Sequence, residues 1–210
     1  MTGQDPQRIG VLLSGRGSNL AALLSASRDG RVSAPMAMVV SNIADAPGLD
    51  HARQADIPFQ VVDHRRSSTR EEHDRKVAEV LEAAGITLVC LAGYMRLLSP
   101  WFVQRFPQRI LNIHPSLLPA FPGLHAQRQA LRHGVKITGC TVHLVDEHLD
   151  AGPIILQKAV PVQEHDDERT LSARILEQEH ILYPEALSLF CQNRVEVKNQ
   201  RIHLRSKQEK

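Results

Sequence analysis

What this sequence has little of narrows its reading first. Cysteine occurs three times, as Cys90, Cys140 and Cys191, odd in number, widely spaced and set among apolar neighbours. Such spacing suits reduced, packed thiols and offers no basis for a disulfide frame or a zinc site. An excess of either charge is missing too, with 25 Lys and Arg against 23 Asp and Glu and no long block of one sign. That balance leaves no electrostatic footprint for nucleic acid or an anionic membrane. Long apolar runs are also lacking. The opening Met-Thr-Gly-Gln-Asp-Pro-Gln-Arg carries no apolar secretory stretch, and the run that follows from Ile9 to Leu13 has the length of a strand, far short of a bilayer. A cytoplasmic protein is expected, with no metal, no nucleic acid and no membrane among its partners.

What is present suffices for one substantial core. At 210 residues and 42% hydrophobic, the default is a single domain, here residues 8–204, between a flexible N-terminus (1–7) and a charged, frayed tail (205–210). Ile9-Gly-Val-Leu-Leu13 is followed by Ser14-Gly-Arg-Gly-Ser-Asn19 and by Leu20, Leu23 and Leu24 at helical spacing. Strand, glycine loop and helix in that order bring backbone N–H groups and a positive helix end to a phosphate, with Ser18 or Asn19 as the helix cap. A tight turn needs glycine in any case. Leu20 stands at the third glycine of a dinucleotide fingerprint, and the second strand ends in Ser41-Asn42 without a ribose-binding acid. The loop therefore reads as built for one phosphate monoester.

Ala37 to Val40 and Phe59 to Val62 read as strands, with a short helix after Pro47-Gly48 between them. Thr69 and Glu72 form a capping box for a helix whose apolar face is Val77, Val80, Leu81 and Ala84, closed by Gly85. Arg70, in its first turn, either meets solvent or reaches a phosphate. Ile86 to Ala92 is continuous enough for a strand covered on both faces. Gly93-Tyr-Met-Arg-Leu-Leu-Ser-Pro100 leaves its carboxyl end, where parallel sheets bind ligands, and its apolar residues could line a pocket for a flat ring. A helix from Ser99 to Phe106 follows, with Pro100 at its first position.

The centre of the chain is Leu111-Asn-Ile-His-Pro-Ser-Leu-Leu-Pro-Ala-Phe-Pro-Gly123. Side chains two apart on a strand share a face, so Asn112 and His114 project together before Pro115, Pro119 and Pro122 end any ladder. Such a pair is either a satisfied polar edge or an acyl-transfer site, with an amide donor for an oxyanion beside a group that moves protons. Beyond a helix from Leu124 to His133, two strands, Gly139 to Val145 and Pro153 to Val160, enclose Asp146-Glu-His-Leu-Asp-Ala-Gly152. From spacing alone, either Asp146 or Asp150 could supply a carboxylate to the Asn112/His114 strand end. The last helix, from about Glu168, has a kink expected at Pro184 and a stripe of Leu171, Ile175, Leu182, Ala186 and Leu189. Glu179 lies off that stripe, where a glutamate is usually solvated. A hairpin over Val195 to Leu204 turns at Asn199-Gln200. The alternation of elements gives an α/β doubly wound, mostly parallel sheet with an antiparallel addition near the C-terminus.

Ser14 to Asn19, Leu91 to Arg96, Asn112 to Pro119, Pro122-Gly-Leu-His125, Leu149-Asp-Ala-Gly-Pro153 and Gln178-Glu-His180 together resemble, in order and spacing, the folate-dependent phosphoribosylglycinamide formyltransferases. The likeness implies a Rossmann-like formyltransferase fold and formyl transfer from 10-formyltetrahydrofolate, a co-substrate, to the amine of phosphoribosylglycinamide in purine biosynthesis. It assigns Asn112, His114 and Asp150 to catalysis. Gly17, Ser18, Asn19 and Arg70 would cradle the phosphate, Glu179 would meet the ribose hydroxyls, and Gly93 and Pro115 would complete the substrate site. Met95, Arg96, Leu97, Leu98, Val103, Ile110, Val145 and Asp150 would hold the folate. A monomer or homodimer is implied. The runner-up is a formyltetrahydrofolate hydrolase, whose family carries a regulatory domain before the first strand, whereas here that strand starts by Ile9.

Overall fold

The apolar run at the N-terminus becomes β1 (Ile9–Leu13), every residue of which is buried, as a parallel strand covered on both faces must be. It belongs to a computed structural model that describes residues 7 to 206, so the expected N-terminal and C-terminal tails fall largely outside the described residues. Seven strands belong to one mostly parallel sheet and two more form a separate antiparallel ribbon. The chain divides into two compact units, one ending at Leu111 and the other beginning at Asn112.

In the first unit β2 (Met36–Ser41) and β4 (Leu88–Leu91) flank β1, and β3 (Phe59–Val61) lies outside β2, all parallel. Leu20, Leu23 and Leu24 of α1 (Ser18–Arg28) are buried, as are Val77, Ala78 and Leu81 of α3 (Arg70–Ala83). Each such leucine contributes about 1.5–3 kcal/mol relative to exposure. Neither Ser18 nor Asn19 caps α1. Gly17, at φ 72°, takes the cap without a side-chain bond, because the turn into the helix is left-handed and Ser18 is already helical. The expected capping box is half made. Thr69 accepts the Glu72 N–H, but the Glu72 carboxylate turns to Ser68, whose N–H and hydroxyl lie at 2.8 and 2.6 Å.

Two polar residues of α3 are sealed in this unit. His73 Nε2 lies 2.8 Å from the Tyr94 hydroxyl, and Asp74 Oδ2 accepts the Ser99 N–H at 2.6 Å. Burial, aided by the nearby Arg96 charge, lowers the His73 pKa from 6.5 to about 4. The unfolded chain therefore takes up a proton on this residue near pH 6.5 that the native chain refuses until about pH 4, so stability falls as pH drops through that window. Thermal melts at pH 7 and pH 5 should show a loss that is smaller in His73→Asn; an equal loss would contradict the assignment.

The second unit begins in β5 (Ile110–His114). Here β6 (Ile137–Leu144) and β7 (Ile154–Pro161) pair antiparallel, and α6 (Glu168–Cys191) packs on both. Leu171, Ile175, Leu182, Tyr183, Ala186 and Leu187 are its buried face, and the helix runs on through Pro184. The intervening α5 (Ala126–His133) starts two residues later than expected, because His125 sits at φ 58°, and it closes at Gly134 as expected. The ribbon of β8 (Val195–Lys198) and β9 (Arg201–Leu204) turns at Asn199 and Gln200, both with positive φ, the backbone a two-residue hairpin requires. Arg205 is not frayed: its N–H reaches the Arg194 carbonyl at 2.8 Å and its guanidinium pairs with Glu196. Cys90 and Cys140 are buried and Cys191 half-buried, none of them in a disulfide.

Candidate active site

Alternation along β5 does what the period of two demands. Asn112 and His114 share one face of the strand, Asn112 half-buried and His114 keeping 5% of its surface, with Ile113 buried between them. The ring of His114 has an oxygen before each nitrogen. Nε2 lies 2.9 Å from the Phe121 carbonyl and Nδ1 lies 3.4 Å from Asp150 Oδ2. The Phe121 carbonyl only accepts, so Nε2 carries the hydrogen directed at it. The same Asp150 oxygen accepts the Gly123 N–H at 2.8 Å. Asp146, the other acid left open by spacing, turns away and accepts the His148 N–H at 2.9 Å within its own loop.

Two backbone features set that outcome. Asp150 adopts φ 49°, and at Gly152 a Cβ would stand 1.9 Å from the Leu144 carbonyl oxygen. Any side chain at residue 152 would push the loop off β6 and carry Asp150 with it. The loop after His114 is fixed from the same strand: Thr141 Oγ1 donates to the Ser116 carbonyl at 2.7 Å and accepts the Leu118 N–H at 3.1 Å. Pro115, directly after His114, is half-buried.

His143 is the residue that the sequence reading missed. A register shift between Val142 and His143 in the β6–β7 ladder re-aims it, as bulges do. Its Nδ1 lies 2.9 Å from the Leu144 carbonyl and its Nε2 3.1 Å from Asn112 Nδ2. A carbonyl accepts only, so Nδ1 carries the hydrogen and the Nε2 lone pair takes one amide hydrogen of Asn112. Burial holds the His143 pKa below the ordinary imidazole value, consistent with this neutral tautomer. The amide of Asn112 is thereby fixed, with its second N–H free for a ligand oxygen. His143→Phe should lower kcat roughly tenfold, the worth of about one hydrogen bond, with both KM values kept. Unchanged turnover would remove this positioning role. The only signal in the sequence was a titratable histidine inside an otherwise uncharged, buried-looking strand.

The candidate phosphate loop lies in the first unit. A Cβ on Gly17 would come within 2.6 Å of Gly48 Cα, and the Gly48 N–H donates to the Gly15 carbonyl at 2.9 Å. The loop is thus clamped on a second glycine, and the first helical bond runs from Ala21 to Gly17. The turn that precedes it, with Ser18 and Asn19, is where α1 presents its positive end. Arg70 opens α3 in an exposed position.

Beyond β4, Gly93 to Ser99 forms a platform whose backbone is held while its apolar side chains stand out. Met95 and Leu97 are 68% and 50% exposed, Arg96 and Leu98 half-buried. Val103, on α4 (Pro100–Arg105), is buried, and Ile110 is wholly buried at the start of β5. Val145 is half-buried at the end of β6. Glu179 departs from the usual solvated glutamate: it is 7% exposed in α6. After burial, its carboxylate is the largest influence raising the Cys140 thiol, to about 12. Among the described residues no group of three or more His, Cys, Asp or Glu could hold a metal ion, and no helix is long and apolar enough to cross a membrane.

The Formyl transferase family profile matches residues 7–187. Phosphoribosylglycinamide formyltransferase of Escherichia coli is 44% identical over 187 residues, 89% of this chain and 88% of that protein. The crystal structure of glycinamide ribonucleotide transformylase 1 from Symbiobacterium toebii superposes with a TM-score of 0.93 at 50% identity, covering 97% of this chain and 99% of that one. This chain belongs to the phosphoribosylglycinamide formyltransferase family. The human trifunctional purine biosynthetic protein adenosine-3 is 50% identical over 190 residues, 90% of this chain, which spans only 19% of that longer protein. The profile takes in every candidate residue from Gly17 to Glu179 and stops before β8.

Proposed function

We propose that the chain transfers the formyl group of 10-formyltetrahydrofolate to the amine of 5-phosphoribosylglycinamide, giving formylglycinamide ribonucleotide and tetrahydrofolate in purine biosynthesis. The observation that carries this reading is His114 on the same strand as Asn112, with its Nδ1 3.4 Å from Asp150. The neutral amine nitrogen attacks the formyl carbon, and the carbonyl oxygen becomes an oxyanion as the nitrogen becomes an ammonium. The free N–H of Asn112 donates to that oxyanion. His114 donates beside it once Nε2 exchanges the Phe121 carbonyl for the substrate oxygen, while Asp150 faces the other ring nitrogen. The ammonium gives up a proton, relayed through Asp150 and water to the folate nitrogen, whose bond to the formyl carbon breaks.

In this reading Gly17, Ser18, Asn19 and Arg70 take the phosphate, Glu179 the ribose hydroxyls, and Gly93 and Pro115 the remainder of the ribonucleotide. Met95, Arg96, Leu97, Leu98, Val103, Ile110, Val145 and Asp150 take the folate, and the chain acts in the cytoplasm as a monomer or homodimer. The test is release of tetrahydrofolate from 10-formyltetrahydrofolate with and without the ribonucleotide. Release that depends on the ribonucleotide is expected; equal release as free formate in its absence would make the protein a hydrolase.

A further inference from the structure

Ser14 stands one residue past β1, ahead of the candidate phosphate loop, and its single hydroxyl is used twice. It accepts the Met95 N–H at 2.8 Å and donates to Asn42 Oδ1 at 2.6 Å. Its own N–H donates to the Gly93 carbonyl at 3.1 Å. Asn42, at the end of β2, is 3% exposed, and its carbonyl lies 3.0 Å from His64 Nδ1. A hydroxyl has one proton and accepts through lone pairs, so the two side-chain bonds are compatible and no competing donor is needed. One side chain therefore ties together the segments that leave three neighbouring strands: the glycine loop after β1, Asn42 after β2, and the Gly93–Ser99 platform after β4.

We infer that Ser14 is a positioning residue shared by both substrates: it sets the phosphate loop against the folate platform while touching neither ligand. The inference rests on the proposed formyl transfer, since it takes the glycine loop for the ribonucleotide and the platform for the folate. Losing both hydroxyl bonds leaves the Met95 N–H and the Asn42 amide to shift, and each bond of this kind is worth up to about one factor of ten in an equilibrium.

The experiment compares the parent with Ser14→Ala and Ser14→Thr, reading both KM values, kcat and the melting curve. Ser14→Ala should raise the KM for the ribonucleotide and for 10-formyltetrahydrofolate together, each roughly fivefold to tenfold, with kcat within about threefold. Ser14→Thr, which keeps the hydroxyl, should restore both. Should the alanine variant not fold, Ser14→Cys keeps the volume with weaker bonds and should raise both values by a smaller factor. A rise in one KM alone, no rise in either, or a threonine variant that folds yet fails to restore them would overturn the inference. A parent without ribonucleotide-dependent formyl transfer would instead overturn the proposed reaction, so the two failures are separable.

Discussion

Asp150→Asn is expected to fold normally and to lose activity on the order of 100-fold or more in kcat, within the usual contribution of a positioned acid or base. The amide keeps the volume of the carboxylate, and its oxygen can still accept the Gly123 N–H that Asp150 holds at 2.8 Å. What it lacks is the charge facing His114 Nδ1 at 3.4 Å and the capacity to carry a proton. Asp146→Asn is the matched control, because that carboxylate bonds the turn at His148 and reaches His143 only as the least of the charge influences on it, and its kcat should stay near that of the parent. Steady-state rates with melting curves decide the matter. Near-normal turnover by Asp150→Asn, or a collapse in Asp146→Asn, would move the role to the other acid.

Asn112→Ala should cost about 100-fold to 1000-fold in kcat, the measured scale for one oxyanion donor, while both KM values change little. It should also lower stability by about 1–3 kcal/mol, because His143 Nε2 would be left a buried acceptor without its donor. These two losses have different origins and separate experimentally: His143→Phe removes the acceptor as well, so the double variant should recover part of the stability and none of the rate. A double variant no more stable than Asn112→Ala would show that the 3.1 Å contact to His143 is not what the alanine exposes.

The strand pair Asn112 and His114 was legible because a period of two needs nothing but a strand. The choice between Asp146 and Asp150 was not, since it turns on a left-handed backbone at Asp150 and on Gly152 passing under the Leu144 carbonyl, contacts between segments that composition does not encode. Glu179 looked solvated on a helical wheel because the width of a buried stripe depends on what the helix lies against, and α6 lies on β6 and β7 at once. The cap of α1 was misplaced for a simpler reason: Ser18 and Asn19 have the right chemistry for a cap, but the left-handed turn falls one residue earlier, at Gly17. His143 was missed, and Ser14 was read only as the start of the glycine loop, because the importance of each lies in which partners tertiary structure brings to it.

The platform after β4 has a thermodynamic consequence. Its backbone is anchored at Gly93 by Ser14, at Met95 by the same residue and at Ser99 by Asp74, and Tyr94 is tied to His73. Fixing a residue costs roughly 1–2 kcal/mol of conformational entropy, and here that cost falls on folding. A ring that settles on Met95 and Leu97 meets apolar groups already in place, so its association should show a negative heat-capacity change set by the area covered and little of the unfavourable entropy that accompanies loop ordering.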